Sequence, residues 1–171
     1  MAQSKDLLNE LGEVKKKLTT VLSSFSPAEI NQVPFEGSWT AGQVGRHLLK
    51  AFGEMSQLLE YGNVKDTDRA PDEKMKMIKG DFLNFDIKMK SPDFLTPETK
   101  TYQKEELIIS LDKTYTDIIN TGGVVDLSKT LTDFEIPGYG HFTRLESVYF
   151  AICHTQRHIH QLKNIRGRLG K

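Results

Sequence analysis

Two histidines near the end of the chain have a spacing that suits metal binding. His154 and His158 are four residues apart, so on an α-helix both side chains lie on the same face. Such a pair can present two imidazole nitrogens to one divalent ion, as in His-x-x-x-His zinc sites. His160 lies two residues further on and would point roughly 200° away around a helix that turns by about 100° per residue. The spacing therefore favours a site that includes His154 and His158 and excludes His160.

A third histidine, His47, lies far from this pair in the sequence and within an apolar helical stripe that also contains Val44 and Leu48. A polar group buried there must find a partner. A metal ion shared with the histidine pair would satisfy it, and three neutral imidazoles would leave coordination positions open for water or substrate, as in catalytic metal sites. The alternative is that the histidines are hydrogen-bonded core residues that bind nothing.

Few other side chains in the sequence suggest chemistry, and no Ser-His-Asp set or acidic pair stands out. Glu54 follows the first histidine by seven residues on the same helical face, so it is a weak candidate for a proton-transfer or ligand-supporting group, although such a glutamate is more often solvated. Gln43, Gln161 and Arg157 could orient ligands or bind a carboxylate, and a structural ion pair is the simpler role for Arg157. Cys153 is expected to be a small buried residue and not a nucleophile.

Helical periodicity indicates four long helices that would position these residues. Apolar residues recur at spacings of three and four in residues 4–22, 40–61, 103–120 and 143–168. Thr40 with Gln43, and Thr143 with Glu146, form capping-box patterns at the starts of the second and fourth helices. The last helix is apolar on both sides through its middle, which predicts that it is buried all round, with its histidines among small residues that leave room.

The segment between the second and third helices is long, at residues 62–102, and residues 71–85 within it could form a helix. A long crossover indicates that the second and third helices are not simple antiparallel neighbours. Strand signals are weak and confined to residues 124–125 and 134–136. The pattern predicts an all-α bundle in one domain over residues 1–171.

Composition excludes several classes of protein. Lys plus Arg and Asp plus Glu are equal at 23 each, so the basic excess typical of nucleic-acid binders is missing. The single cysteine allows no disulfide within the chain, which fits a reducing compartment. The sequence has neither an apolar signal-peptide core nor an apolar run of the roughly 20 residues that span a bilayer. We therefore expect a cytoplasmic protein that binds neither nucleic acid nor membrane.

Three motifs carry a family resemblance through most of the chain. They are Ser-Trp-Thr-Ala-Gly-Gln-Val-Gly-Arg-His-Leu at 38–48, Pro-Gly-Tyr-Gly-His-Phe-Thr at 137–143 and His-Thr-Gln-Arg-His-Ile-His-Gln-Leu at 154–162. In this order and at this chain length they resemble the DinB/YfiT-like family of metal-dependent helical bundle proteins. The resemblance implies an up-down-down-up four-helix bundle with a long, partly helical crossover between helices 2 and 3. It also implies frequent homodimers and a Zn²⁺ or Ni²⁺ site, completed by water, on the ligands His47, His154 and His158.

The function predicted from these residues is that of a metal-dependent enzyme acting on a small-molecule substrate. Some family members resemble thiol S-transferases that use bacillithiol or mycothiol, so one version transfers a low-molecular-weight thiol cosubstrate to an electrophile. The other version is a small-substrate hydrolase, in which the ion lowers the pKa of water. The alternative is a non-catalytic metal-binding or ligand-sensing bundle. Imidazole ligands suit several metals and do not select among them.

Overall fold

Each segment with helical periodicity is helical in the computed structural model, which describes residues 2–170. The elements are α1 (Ala2–Ser23), α2 (Ala41–Phe52), α3 (Met55–Tyr61), β1 (Val64–Lys65), α4 (Met75–Phe82), α5 (Lys104–Gly122), β2 (Thr130–Leu131) and α6 (Arg144–Leu169). Short 3₁₀ turns lie at Glu29–Asn31 and Asp93–Leu95. The prediction of an all-α fold is confirmed.

Capping residues fix where the two histidine-bearing helices begin. The Thr40 hydroxyl accepts a hydrogen bond from the Gln43 amide, and the Gln43 side chain accepts one from the Thr40 amide in return. Thr143 and Glu146 form the same reciprocal pair at the start of α6. Both predicted capping boxes are therefore present, and they set the register of the histidines that follow.

The second predicted helix is not continuous, because it is divided into α2 and α3 at Gly53 and Glu54. A glycine inside a helix costs about 0.5–1 kcal/mol relative to alanine, so the chain bends more readily at this position than elsewhere. The single helix predicted over residues 40–61 was wrong in this respect. The break leaves the histidine on α2 and starts a new helix at the edge of the site.

Contacts along the helices define the bundle topology, and the first and third long helices are antiparallel. Lys15, in the second half of α1, binds Asp112 and Thr116 in the middle of α5. Further along, Lys104 at the start of α5 donates to the carbonyl of Phe25, just after the end of α1. The two chains therefore run in opposite directions.

Contacts of α2 and α6 complete the topology. Gly45 lies against Leu107 near the start of α5 and Phe52 lies against Tyr115 further along, so α2 and α5 are parallel. Phe52 also contacts Phe150, whereas His47 contacts a later residue of α6, so α2 and α6 are antiparallel. These directions give the up-down-down-up bundle that the family resemblance implied.

The crossover between α3 and α5 packs on α6 and is partly helical, as predicted. Ile78 of α4 is fully buried in a small apolar cluster with Phe142 and Cys153. Before it, β1 pairs with β2 in antiparallel register, Val64 opposite Leu131. The weak strand candidates at 124–125 and 134–136 were wrong, apart from an isolated bridge between Ile136 and Gly140. The observed strands are two residues long and distant in sequence, so no local alternation marks them.

The close approach of α2 to α5 depends on Gly45 and gives a test of the packing. A Cβ at this position would lie 2.6 Å from Cδ2 of Leu107. We expect Gly45→Ala to lower the free energy of unfolding by about 1–2 kcal/mol, because the tip of the leucine can turn only part of the way aside in a packed core. Gly167→Ala in α6 is the control, since a Cβ there meets nothing within 4 Å. It should stabilise by up to about 1 kcal/mol. Denaturant unfolding measures the stability of both variants. A Gly45→Ala variant with the free energy of unfolding of the wild type would contradict the packing described.

Candidate metal centre

The antiparallel packing of α2 on α6 brings together the three histidines that the sequence singled out. The Nε2 atom of His154 lies 3.0 Å from Nε2 of His47 and 2.9 Å from Nε2 of His158. The three side chains could hold one ion, since their ligand atoms all lie within 4.8 Å of one another. All three residues are buried, with exposed fractions of 3%, 7% and 8% in chain order.

Hydrogen bonds on the far side of two rings determine which nitrogens face the centre. His47 Nδ1 lies 3.0 Å from the carbonyl oxygen of Leu95, and because a carbonyl only accepts, the proton is on Nδ1. His158 Nδ1 likewise donates to the side-chain oxygen of Gln161 at 2.8 Å. The Nε2 atoms of both rings therefore present lone pairs to the centre of the cluster, which is the tautomer that a metal ligand needs.

His154 is held differently from the other two. Its Nδ1 atom is buried and has no hydrogen-bond partner among the described residues. The rings of Phe52, Phe82 and Phe150 surround it, with centroids 5.2–5.4 Å from that of the histidine. Aromatic packing, and not a hydrogen bond at Nδ1, therefore holds the side of this imidazole that faces away from the cluster.

The donor set fits a divalent cation better than it fits hydrogen bonding alone. Without a cation, His154 Nε2 has one proton to offer to two facing lone pairs, so one acceptor stays unsatisfied in a buried place. A cation can accept electron density from all three nitrogens at once. Three imidazole nitrogens are ligands that suit zinc, nickel, copper and iron. The residues present therefore fit a metal ion, and its binding stays a prediction.

Burial keeps these imidazoles in the neutral form that binds metals. Removal from water lowers the pKa of His47 and lowers the pKa of His154 well below its usual value. Burial, with the charge of His47 as the next cause, lowers the pKa of His158 to about 3. Each ring is thus uncharged at neutral pH, so an ion meets no positively charged imidazole when it binds.

The surroundings of the cluster are more aromatic than expected. Small residues were predicted around the α6 histidines, yet phenylalanines pack there and the Trp39 ring lies 5.2 Å from that of His47. Space is provided instead by a cavity of about 1680 Å³ that the three histidines line together with residues of the crossover. The open space next to the histidines is therefore this cavity, whose wall they form in part.

The remaining candidate residues have varied outcomes. Glu54 is exposed at the start of α3 and lines the same cavity, so its catalytic role stays a prediction. Gln161 orients a candidate ligand, as suggested, whereas Gln43 is occupied by the capping box of α2. The ion pair expected for Arg157 is wrong, because within residues 2–170 its guanidinium binds backbone carbonyls, those of Phe82, Asn84 and Ile87.

Two further residues behave as predicted. Cys153 is 1% exposed, and burial raises the pKa of its thiol to about 11, so it is not a nucleophile at neutral pH. His160 stays outside the histidine cluster and stacks on Phe85, with ring centroids 4.1 Å apart. The supporting carbonyl of Leu95 was missed, because a backbone group leaves no signal in the sequence.

The fold and the site together define a class, the up-down-down-up four-helix bundles with histidines from the second and fourth helices facing one point. The chain belongs to the DinB superfamily, whose family model matches residues 10–162. The family resemblance is thereby confirmed. No curated protein and no solved structure matches the chain. In the part of the chain that the structure describes, no helix has both the length and the apolar character needed to cross a bilayer.

Proposed function

We propose that this protein is an enzyme that holds one divalent ion, Zn²⁺ or Ni²⁺, on His47, His154 and His158 and acts on a small molecule. The observation that carries the proposal is the convergence of three imidazole Nε2 atoms on the wall of a large cavity. Structural zinc sites are closed by four protein ligands, whereas catalytic sites combine three protein ligands with an open position. Three histidines beside open space match the catalytic kind.

The protein's own groups have distinct parts in this proposal. Leu95 and Gln161 fix the imidazoles of His47 and His158, and the phenylalanine rings exclude water around His154. A divalent ion bound there would supply Lewis-acid chemistry, which activates water or a thiol as a nucleophile at neutral pH. Glu54, on the wall of the same cavity, is the candidate for moving a proton between the reacting group and solvent.

The reaction class is nucleophilic attack on a small electrophile. In the transferase version a low-molecular-weight thiol is the nucleophile, as the family resemblance suggests, and in the hydrolase version it is water. A homodimer, which the same resemblance suggests, and a cytoplasmic location, which the single cysteine favours, complete the proposal. In the non-catalytic alternative, the ion only stabilises the fold. Such a bundle would not need a cavity of about 1680 Å³ beside its metal ligands.

Turnover assays on metal-loaded protein test the proposal. Zn²⁺- and Ni²⁺-loaded samples are mixed with bacillithiol, mycothiol, glutathione or cysteine and either an epoxide or monochlorobimane, and separately with a panel of activated esters and amides. We expect turnover that is lost on chelation and in His154→Ala and returns when metal is restored to the wild type. Glu54→Gln should bind metal normally and turn over at least about 100-fold more slowly, the low end of general acid–base effects. Stoichiometric metal with no turnover in either panel would favour the non-catalytic metal-binding or ligand-sensing bundle.

A further inference from the structure

The crossover places an alternating strip of apolar and basic side chains along the cavity. Phe85, Ile87 and Met89 are exposed apolar residues of this strip, and Lys88 and Lys90 lie between and after them. All five line the cavity that contains the histidines. Within the described residues, neither lysine has a hydrogen bond or an ion pair. Two cations without partners therefore stand next to apolar surface at the entrance to the site.

The charge of the cavity wall differs from that of the whole chain. The chain is formally neutral, with 23 basic and 23 acidic residues. The acidic wall residues are Glu54 and Asp133, and the basic ones are Arg46, Lys50, Lys88, Lys90 and Arg157. Glu98 pairs with both Arg46 and Lys50, at 3.0 Å and 3.5 Å, and its single negative charge offsets one of their two positive charges. Asp86 belongs to the same segment but does not line the cavity, so the cavity wall at the strip carries an excess of positive charge, which attracts anions.

The strip has a fixed position relative to the histidines. The guanidinium of Arg157, which lies between the two α6 histidines in sequence, donates to the carbonyls of Phe82 and Asn84 at 3.3 Å and 3.0 Å. It also binds the carbonyl of Ile87 within the strip. The stacking of Phe85 on His160 adds a second attachment to the same helix. The first half of the strip is thus attached to α6, the helix that carries two of the three histidines.

The apolar surface near the strip indicates a ligand with a sizeable apolar body. Large exposed apolar side chains are concentrated on the cavity wall near the strip. The three apolar residues of the strip and Phe94 are exposed there. Contiguous exposed apolar surface of this kind marks binding sites. The cavity, at about 1680 Å³, is also larger than the roughly 300–1,000 Å³ that suffices for a drug-sized ligand. A small polar metabolite would leave most of this apolar surface in contact with water.

We propose that the cavity binds an organic anion with an apolar body, whose charged group lies beside Lys88 and Lys90 and whose hydrocarbon or aromatic part extends along the ring-lined wall toward the histidines. This inference rests on the proposed function, for which it names the class of substrate. The charged group is a carboxylate, sulfonate or phosphate held by the lysines. The reacting part of the molecule is the end opposite to the anion, next to the three imidazoles.

Matched ligands separate the contributions of charge and apolar body. Trp39 is the single tryptophan of the chain and lines the cavity, so its fluorescence reports on binding. The probes are 4-phenylbutanoate, its neutral amide, and acetate, which has the charge without the body. We expect the acid to bind about three- to tenfold more tightly than the amide at low salt, the range expected from two partly exposed charge contacts. Acetate should bind far more weakly, and added salt should reduce the preference for the acid.

The lysines are tested by a double variant and a control with the same change of charge. K88A/K90A should bind the acid and the amide with nearly equal affinity. K5A/K17A removes two exposed cations of α1 that lie outside the cavity and should retain the wild-type preference. Equal binding of acid and amide by the wild type, or an unchanged preference in K88A/K90A, would overturn the inference.

Each comparison is made on chelator-treated and on metal-loaded protein. A preference for the acid that persists without metal places the anion at the lysines. A preference that exists only with metal means that the ion binds the carboxylate, which overturns this inference and leaves the proposed enzyme intact. Protein that takes up no metal defeats the proposed function, while the metal-free comparison still decides whether the basic strip binds anions.

Discussion

Wild-type protein loaded with Zn²⁺ is expected to contain one ion per chain, and His154→Ala is expected to lose it. His154 is central to the cluster, because its Nε2 atom lies within 3.0 Å of the Nε2 atoms of both other rings. Loss of a hydrogen bond that supports a ligand costs about 10–100-fold in metal affinity. Loss of a ligand itself should exceed that range. Competition with a chromophoric chelator measures the affinity, and elemental analysis of untagged protein measures the stoichiometry.

Two further variants should lose less metal affinity than His154→Ala, each to a different extent. Gln161→Ala removes the acceptor that holds His158 Nδ1 at 2.8 Å, so it should weaken metal binding by about 10–100-fold while leaving all three ligands present. His160→Ala removes an imidazole that stacks on Phe85 outside the cluster and should keep the metal content of the wild type. Equal loss in His160→Ala and His154→Ala would show that the ion binds elsewhere, and full metal content in His154→Ala would rule out the three-histidine site.

Glu146→Ala is expected to have the largest effect on stability, lowering the free energy of unfolding by about 3–5 kcal/mol. The Glu146 side chain is 0% exposed and accepts from both terminal nitrogens of Arg69 at 2.6 Å. The backbone amides of Lys74 and Thr143 also donate to it, at 2.8 Å and 2.9 Å. Its removal leaves these donors without an acceptor in a buried place. It also releases the crossover, which Arg69 and Lys74 attach to the start of α6.

An exposed ion pair with nearly the same distance between its charged atoms as the Arg69–Glu146 pair provides the control. Lys113 and Asp117 are 2.5 Å apart on the surface of α5, and Lys113→Ala should cost no more than about 0.5 kcal/mol. Arg69→Ala should destabilise about as strongly as Glu146→Ala, and the double variant should be less destabilised than the sum of the two. Denaturant unfolding measures the free energy of unfolding of the three single variants and of the double variant against the wild type. A cost of less than about 1 kcal/mol for Glu146→Ala would contradict the interpretation of this buried pair.

The helices could be predicted from sequence because their signals are local. Apolar periodicity located the four long helices, and the Thr40 and Thr143 capping boxes located two of their starts. The spacing of His154 and His158 needs only one helical turn. The contact of both residues with His47 depends on the antiparallel packing of α2 on α6. No local sequence pattern predicts this packing, and only the family resemblance indicated it.

Features that depend on distant backbone could not be predicted. The carbonyl of Leu95 reaches His47 across 48 residues of sequence, and any residue type can supply a carbonyl. The pairing of β1 with β2 joins two-residue strands, which are too short to show alternation. The break at Gly53 was foreseeable from its residue type, yet the continuing apolar stripe concealed it. Arg157 was expected to pair with an acid, because carbonyls freed by an irregular loop cannot be seen in a sequence.

The distance along the chain between the converging imidazoles has a consequence for the lifetime of the protein. His47 and His154 are separated by 107 residues, so the complete ligand set exists only when the bundle has closed. An ion that binds the closed form and not the open chain would add a stabilising free energy that rises with the logarithm of its free concentration. The supply of metal in the cell would then govern how long each copy persists before degradation, as well as how fast it works.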